Sequence, residues 1–159
     1  DTIPCITLRN IYVYPRLRFK SKKQERYYYK LVRDVKKTLP LAKEINRAVI
    51  ETYEYLQTLP NDKARTRHIK MVEKGLKEQY TPRMKKLTFA QGKLLIKLVN
   101  RECNQSSYQL VKAFMGPFKA GFYQAFAALF GASLKKEYHP DDEDKMIERI
   151  VTLVENGQL

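Results

Sequence analysis

Three groups of residues in this 159-residue chain have the types and spacing that chemistry needs. The first is Glu102, near the end of TFAQGKLLIKLVNREC, where helical periodicity puts it in line with Gln91, Leu95 and Leu98 and opposite Lys93 and Lys97. A carboxylate on an apolar face either pairs with a cation or has a raised pKa, and the second state suits a general acid. The ion pair is the commoner outcome, with an Arg such as Arg33 or Arg47 as the partner. The second group is His139 with Asp141, Asp142 and Asp144 around Pro140, a set that a metal ion or a His–Asp general base would use. Acids just before a helix more often cap it. His68 stands between Ala64 and Val72 at helical spacing and has no partner at motif spacing.

The third group is cationic: Arg16, Arg18, Lys20, Lys22, Lys23, Arg26 and Lys30, interleaved with Tyr27, Tyr28 and Tyr29. Cations that meet phosphates and aromatics that stack on bases are the ingredients of nucleic-acid binding. A solvated basic face that attracts an anionic protein or polymer needs only the charges. No motif that reads DNA or RNA accompanies the run, so nucleic acid ranks second as a partner. No GxSxG, HExxH, P-loop or GxGxxG pattern is present. A hydrolase-type centre on Glu102 or His139, with Asp142 as a further catalytic candidate, is another alternative, and a non-enzymatic role is favoured. Cys5 and Cys103 lack metal-ligand spacing, so two free thiols are expected, with no metal and no cofactor.

These residues need elements to hold them. The length suits one domain, residues 1–159, with 43% hydrophobic and 30% charged residues, an ordinary globular composition. The run Ala120–Leu134 is nearly free of charge but short of the ~20 residues that span a bilayer. Residues 1–101 hold 25 Lys+Arg against 9 Asp+Glu, whereas residues 102–159 hold 6 against 8, so the cationic excess belongs to the front of the chain. Residues 3–19 alternate and are rich in Ile, Val and Tyr, which predicts a small β arm or hairpin over residues 1–20.

Ser21 with Gln24 is a capping-box pattern that opens a helix over 22–57, either kinked at Pro40 or split there. A charged surface helix follows from about 61 to 80, and Thr81–Pro82 should end it. Thr88 with Gln91 is a second capping box and opens the central helix, 88–102. Phe89, Gly92, Ile96 and Val99 lie on one flank of its polar strip and Leu94, Leu95 and Leu98 on the other, so the helix needs neighbours on both sides. Helices over 107–130 and about 140–156 complete a mainly α fold around it, the last closed by Gly157.

The strings LTFAQGKLLIKLVNREC and SSYQLVKAF, with RFKSKKQERYYYKLVRDVKKTLPLAKEI before them and LKKEYHPDDEDKMIERIV after, resemble the bacteroidete domain-of-unknown-function family four-two-nine-four. The likeness runs from about Ile3 to Leu159. It implies a short exported protein of the bacterial envelope, periplasmic or envelope-associated, whose signal segment is removed before Asp1. It implies no activity and no catalytic residues. The leading expectation is thus a non-enzymatic envelope protein that binds an anionic protein or envelope polymer through its basic face.

Overall fold

A computed structural model describes residues 5–8, 10–105 and 138–159. Among those residues there are four helices: α1 (Lys22–Gln57), α2 (Asp62–Met84), α3 (Phe89–Gln105) and α4 (Lys145–Glu155). The protein is mainly helical, as the periodicity predicts, and no described helix is long and apolar enough to cross a membrane. The segments expected to be helical over 107–130 lie outside the described residues. The described part of the arm, 5–8 and 10–20, contains no strand, which corrects the expected β arm. A strand exists only through ladder bonds to a partner strand, and the other described segments are helices and turns. The chain forms two compact units, one of Asp1–Lys36 with His139–Leu159 and the other of Lys37–Tyr138.

In the first unit, α1 opens where Ser21 Oγ accepts a hydrogen bond from the Gln24 backbone N–H at 3.3 Å. The Gln24 side chain reaches back to the Lys20 N–H at 2.9 Å, one residue earlier than in the usual capping box. Tyr28, Val32 and Val35 form the buried stripe of this stretch, at the i, i+4, i+7 spacing of one helix face. The carboxyl end of the unit begins with a turn rather than a helix: Pro140–Glu143 precede α4, and Asp144 is its cap residue. Ile150 and Val151 of α4 are fully buried. The helix ends in a Schellman motif, with Gln158 N–H donating to Leu153 O at 2.8 Å and Gly157 N–H to Val154 O at 3.2 Å. Gly157 has φ 69°, the left-handed conformation this closure requires.

In the second unit, α3 is buried on both flanks of its lysine strip, by Ile96 and Val99 on one side and Leu94, Leu95 and Leu98 on the other. Phe89 is the exception: it lies 46% exposed, with Lys93 Nζ 4.3 Å from its ring centroid. The Thr88–Gln91 capping box forms in full. Gln91 N–H donates to Thr88 Oγ1 at 3.3 Å, and Thr88 N–H donates to Gln91 Oε1 at 3.2 Å. Lys37 Nζ of α1 donates to the same Gln91 oxygen at 3.1 Å, which ties the start of α3 to α1.

α1 passes through Pro40 as one helix. Buried Leu39, Leu41, Ala42 and Ile45 hold the turns on either side, so the hydrogen bond that proline removes does not end it. The last carbonyls of α1 have no helical partners of their own. Leu56 O accepts from the Leu59 N–H at 3.2 Å and from Arg65 of α2 at 3.3 Å, and Arg65 also donates to Leu59 O in the following turn at 3.3 Å. α2 itself starts on Asn61, whose side chain accepts from Ala64 N–H, and runs through Pro82 to Met84 rather than stopping at Thr81. Tyr80 and Met84 are both buried, so packing holds the additional turn.

Candidate functional site

The arm and the first turns of α1 carry the densest charge. Arg16, Arg18 and Lys20 lie on the arm and Lys22, Lys23, Arg26 and Lys30 on α1, all exposed. Arg33 and Lys36 extend the row and are exposed as well. At 100° per residue, Lys22, Arg26, Lys30, Arg33 and Lys36 fall within about 120° of arc, centred about 130° round the helix from the buried Tyr28–Val32–Val35 stripe. Burial of one face thus fixes the direction of the other. Lys30 Nζ lies 3.6 Å from Asp34. Among the described residues, Arg16, Arg18, Lys20, Lys22, Lys23, Arg26, Arg33 and Lys36 make no ion pair.

Two contacts hold the arm beside these cations. The Gln158 side-chain amide does both jobs of a neighbouring strand: its Oε1 accepts from Tyr12 N–H at 2.9 Å and its Nε2 donates to Tyr12 O at 3.0 Å. Arg149 of α4 donates to Pro15 O at 2.9 Å and sits 4.9 Å from the Tyr14 ring centroid. Neither Gln158 nor Arg149 stands out in the sequence. The only cue is that Gln158 follows the Schellman glycine, which aims the next residue back across the helix end.

A chain of rings continues the support. Phe19 packs on Tyr28 at 5.5 Å between centroids, and Tyr28 meets Tyr29 edge-on at 5.5 Å. Burial pushes the Tyr28 phenol up, the Arg149 charge pulls it part of the way back, and Tyr29 adds a small upward push. Tyr27 and Tyr29 remain more than half exposed beside Arg26 and Lys30.

The candidates for acid–base chemistry are placed differently. Glu102 does pair with a cation, but with its sequence neighbour: Arg101 Nη1 lies 2.9 Å from Glu102 Oε1, and both side chains are largely buried. Arg33 and Arg47, the expected partners, are exposed. His139 and Asp142 are exposed and belong to the turn before α4. There the His139 carbonyl accepts from the Asp142 and Asp144 amides, and the His139 N–H donates to Asp144 Oδ2 at 3.0 Å. The acids thus order a turn. No group of three or more His, Cys, Asp or Glu among the described residues is arranged to hold a metal ion. His68 packs its ring on Tyr55 at 4.5 Å. Both cysteines are free thiols, Cys103 buried and Cys5 exposed.

Compared with curated proteins and with solved structures, the chain matches none. The model of one family, described as a domain of unknown function (DUF4294), matches residues 1–153, and the chain belongs to that family.

Proposed function

We propose that the protein is a non-enzymatic binder that meets an anionic protein or polymer through the basic face of Arg16–Lys36, in the exported, envelope-associated setting that the family resemblance implies. The observation that carries this reading is the set of eight exposed cations that, among the described residues, make no ion pair on one short stretch of arm and helix. Like charges so close together repel one another, and nothing in the folding of the unit calls for them. An anionic partner relieves that repulsion and is drawn in by it. The encounter is electrostatic and weakens as salt shortens the Debye length from roughly 10 Å at 0.1 M to 3 Å at 1 M.

The test measures binding to polyglutamate and to heparin, as protein-like and polymer-like anions, across a salt series. The comparison variant carries Lys22→Gln, Lys23→Gln, Arg26→Gln and Lys30→Gln. Affinity that falls with salt, and at least tenfold with the variant, supports the reading. Binding indifferent to both salt and substitution overturns it.

A further inference from the structure

A second cationic row lies on α2, in the other unit and independent of the face just described. Lys63, Arg67, Lys70, Lys74 and Lys77 follow one another at steps of four, three, four and three residues, and all five are exposed. At 100° per residue they fall within about 80° of arc, a single file about 21 Å long with a cation roughly every 5 Å. Exposed helices ordinarily alternate charge at i, i+3 and i+4, because like neighbours at those spacings destabilise the helix. Here every step along the row joins two cations. Lys74 lies at 4.0 Å from Glu78, at the outer edge of an ion pair. Among the described residues, Lys63, Arg67, Lys70 and Lys77 have no ion pair at all.

The row is separate from what holds α2 in place. The side of the helix away from the row carries Ile69, Val72 and Leu76, partly covered, and the last turns, past the end of the row, are held by buried Tyr80 and Met84. Arg65 and Arg83, the cations that bond α2 to α1, stand off the row. Four of its members are therefore available as point charges, and the fifth, Lys74, is held only at the outer edge of a pair with Glu78.

We propose that this row is a docking surface for the phosphate backbone of a nucleic acid, bound through charge and without reading sequence. The shape decides among anions. A single file fits a one-dimensional array of charges, whereas a membrane presents a plane and a folded acidic protein a compact patch. A membrane-surface helix must also insert an apolar face, and Ile69, Val72 and Leu76 on the apolar side of α2 are already partly covered. A nucleic-acid strand offers a phosphate about every 3.4 Å of axis, close enough to engage every cation in the file. A polysaccharide charged once per disaccharide leaves alternate cations idle. No aromatic side chain interrupts the row, so stacking on bases plays no part.

The experiment uses the full chain and a fluorescent DNA duplex of about 12 base pairs, roughly twice the length of the row at ~3.4 Å per pair. Affinity is measured by anisotropy between about 50 and 200 mM salt. Each cation–phosphate contact adds about −0.9 to the slope of log affinity against log salt. The variant Arg67→Gln, Lys70→Gln, Lys74→Gln is therefore expected to flatten the slope by between about 2 and 3. Replacing Lys63, Lys70, Lys74 and Lys77 by Arg keeps the charge and is expected to keep the slope. Circular dichroism confirms that both variants retain their helix. An unchanged slope in the glutamine variant overturns the proposal. So does the absence of duplex binding at the lowest salt, or tighter α2-dependent binding to anionic vesicles than to DNA. The four substitutions in residues 22–30 leave the α2 contribution to the slope intact, so the two basic surfaces succeed or fail separately.

Discussion

Gly75 and Gly157 show how one substitution takes opposite signs in two backbone settings. Gly75 sits inside α2, and a Cβ built on it meets nothing within 4 Å. Gly75→Ala is therefore expected to raise stability by about 0.5–1 kcal/mol, through higher helix propensity and a less disordered unfolded chain. Gly157 holds the left-handed conformation that closes α4, and Gly157→Ala is expected to cost about 1–2 kcal/mol. Urea melts of the two variants test both, and equal signs contradict the account. Glu44 belongs to the same scale. A hydrogen bond from Arg83 holds its carboxyl below the usual range, against a smaller upward push from burial. The pair forms two contacts, Arg83 Nη1 to Glu44 Oε2 and Nη2 to Oε1 at 3.1 Å. A lowered folded-state pKa contributes stability above the unfolded value, and that contribution disappears as pH falls through the folded one. Both side chains are nearly half exposed, so the contribution is about 0.2–1 kcal/mol. Glu44→Gln is expected to be less stable by that amount at neutral pH and equal to the parent in strong acid, as read by melts at both.

At the scale of elements, α3 was the most legible part of the chain because two independent signals agree on it. Its capping box gives the start, and apolar residues on both flanks give its burial. Leu95→Ala is expected to cost about 2–5 kcal/mol, since Leu95 is fully buried and leaves a cavity. Thr88→Ala is expected to cost about 1 kcal/mol through the lost cap, and exposed Phe89→Ala less than either. Thermal melts that rank Phe89 above Leu95 refute this assignment of faces. Other elements are less legible for physical reasons. The alternation of residues 3–19 looks like a strand, but pairing is decided by distant residues, and the partner that Tyr12 finds is a single side-chain amide. Thr81–Pro82 looks like a stop, yet buried Tyr80 and Met84 carry the helix past it. The periodicity of Glu102 points to a cation elsewhere in the fold, and the side chain instead pairs with Arg101 next to it. The basic face was legible by composition alone. The file on α2 needed only its spacing, which becomes meaningful once burial shows which side of α2 faces outward.

The whole molecule carries a formal net charge of +14, and that excess ties stability to binding with opposite signs. Self-repulsion opposes the compact state and is screened by salt. The melting temperature of the free protein is therefore expected to rise between about 10 and 150 mM salt, over a range in which affinity for any polyanion falls. Calorimetry alongside binding titrations tests the pairing, and a melting temperature that drops with salt contradicts it.

The amide grip of Gln158 on Tyr12 has its own consequence for such titrations. A carboxamide carries no net charge, so ionic strength that strips a polyanion from the surface leaves this tether intact. Hydrogen exchange at the Tyr12 amide should stay flat from dilute buffer to molar salt, an internal gauge that reports whether the cations of the arm have let go of a ligand while keeping their own footing. Gln158→Ala removes the gauge, and exchange at Tyr12 then quickens at every salt concentration.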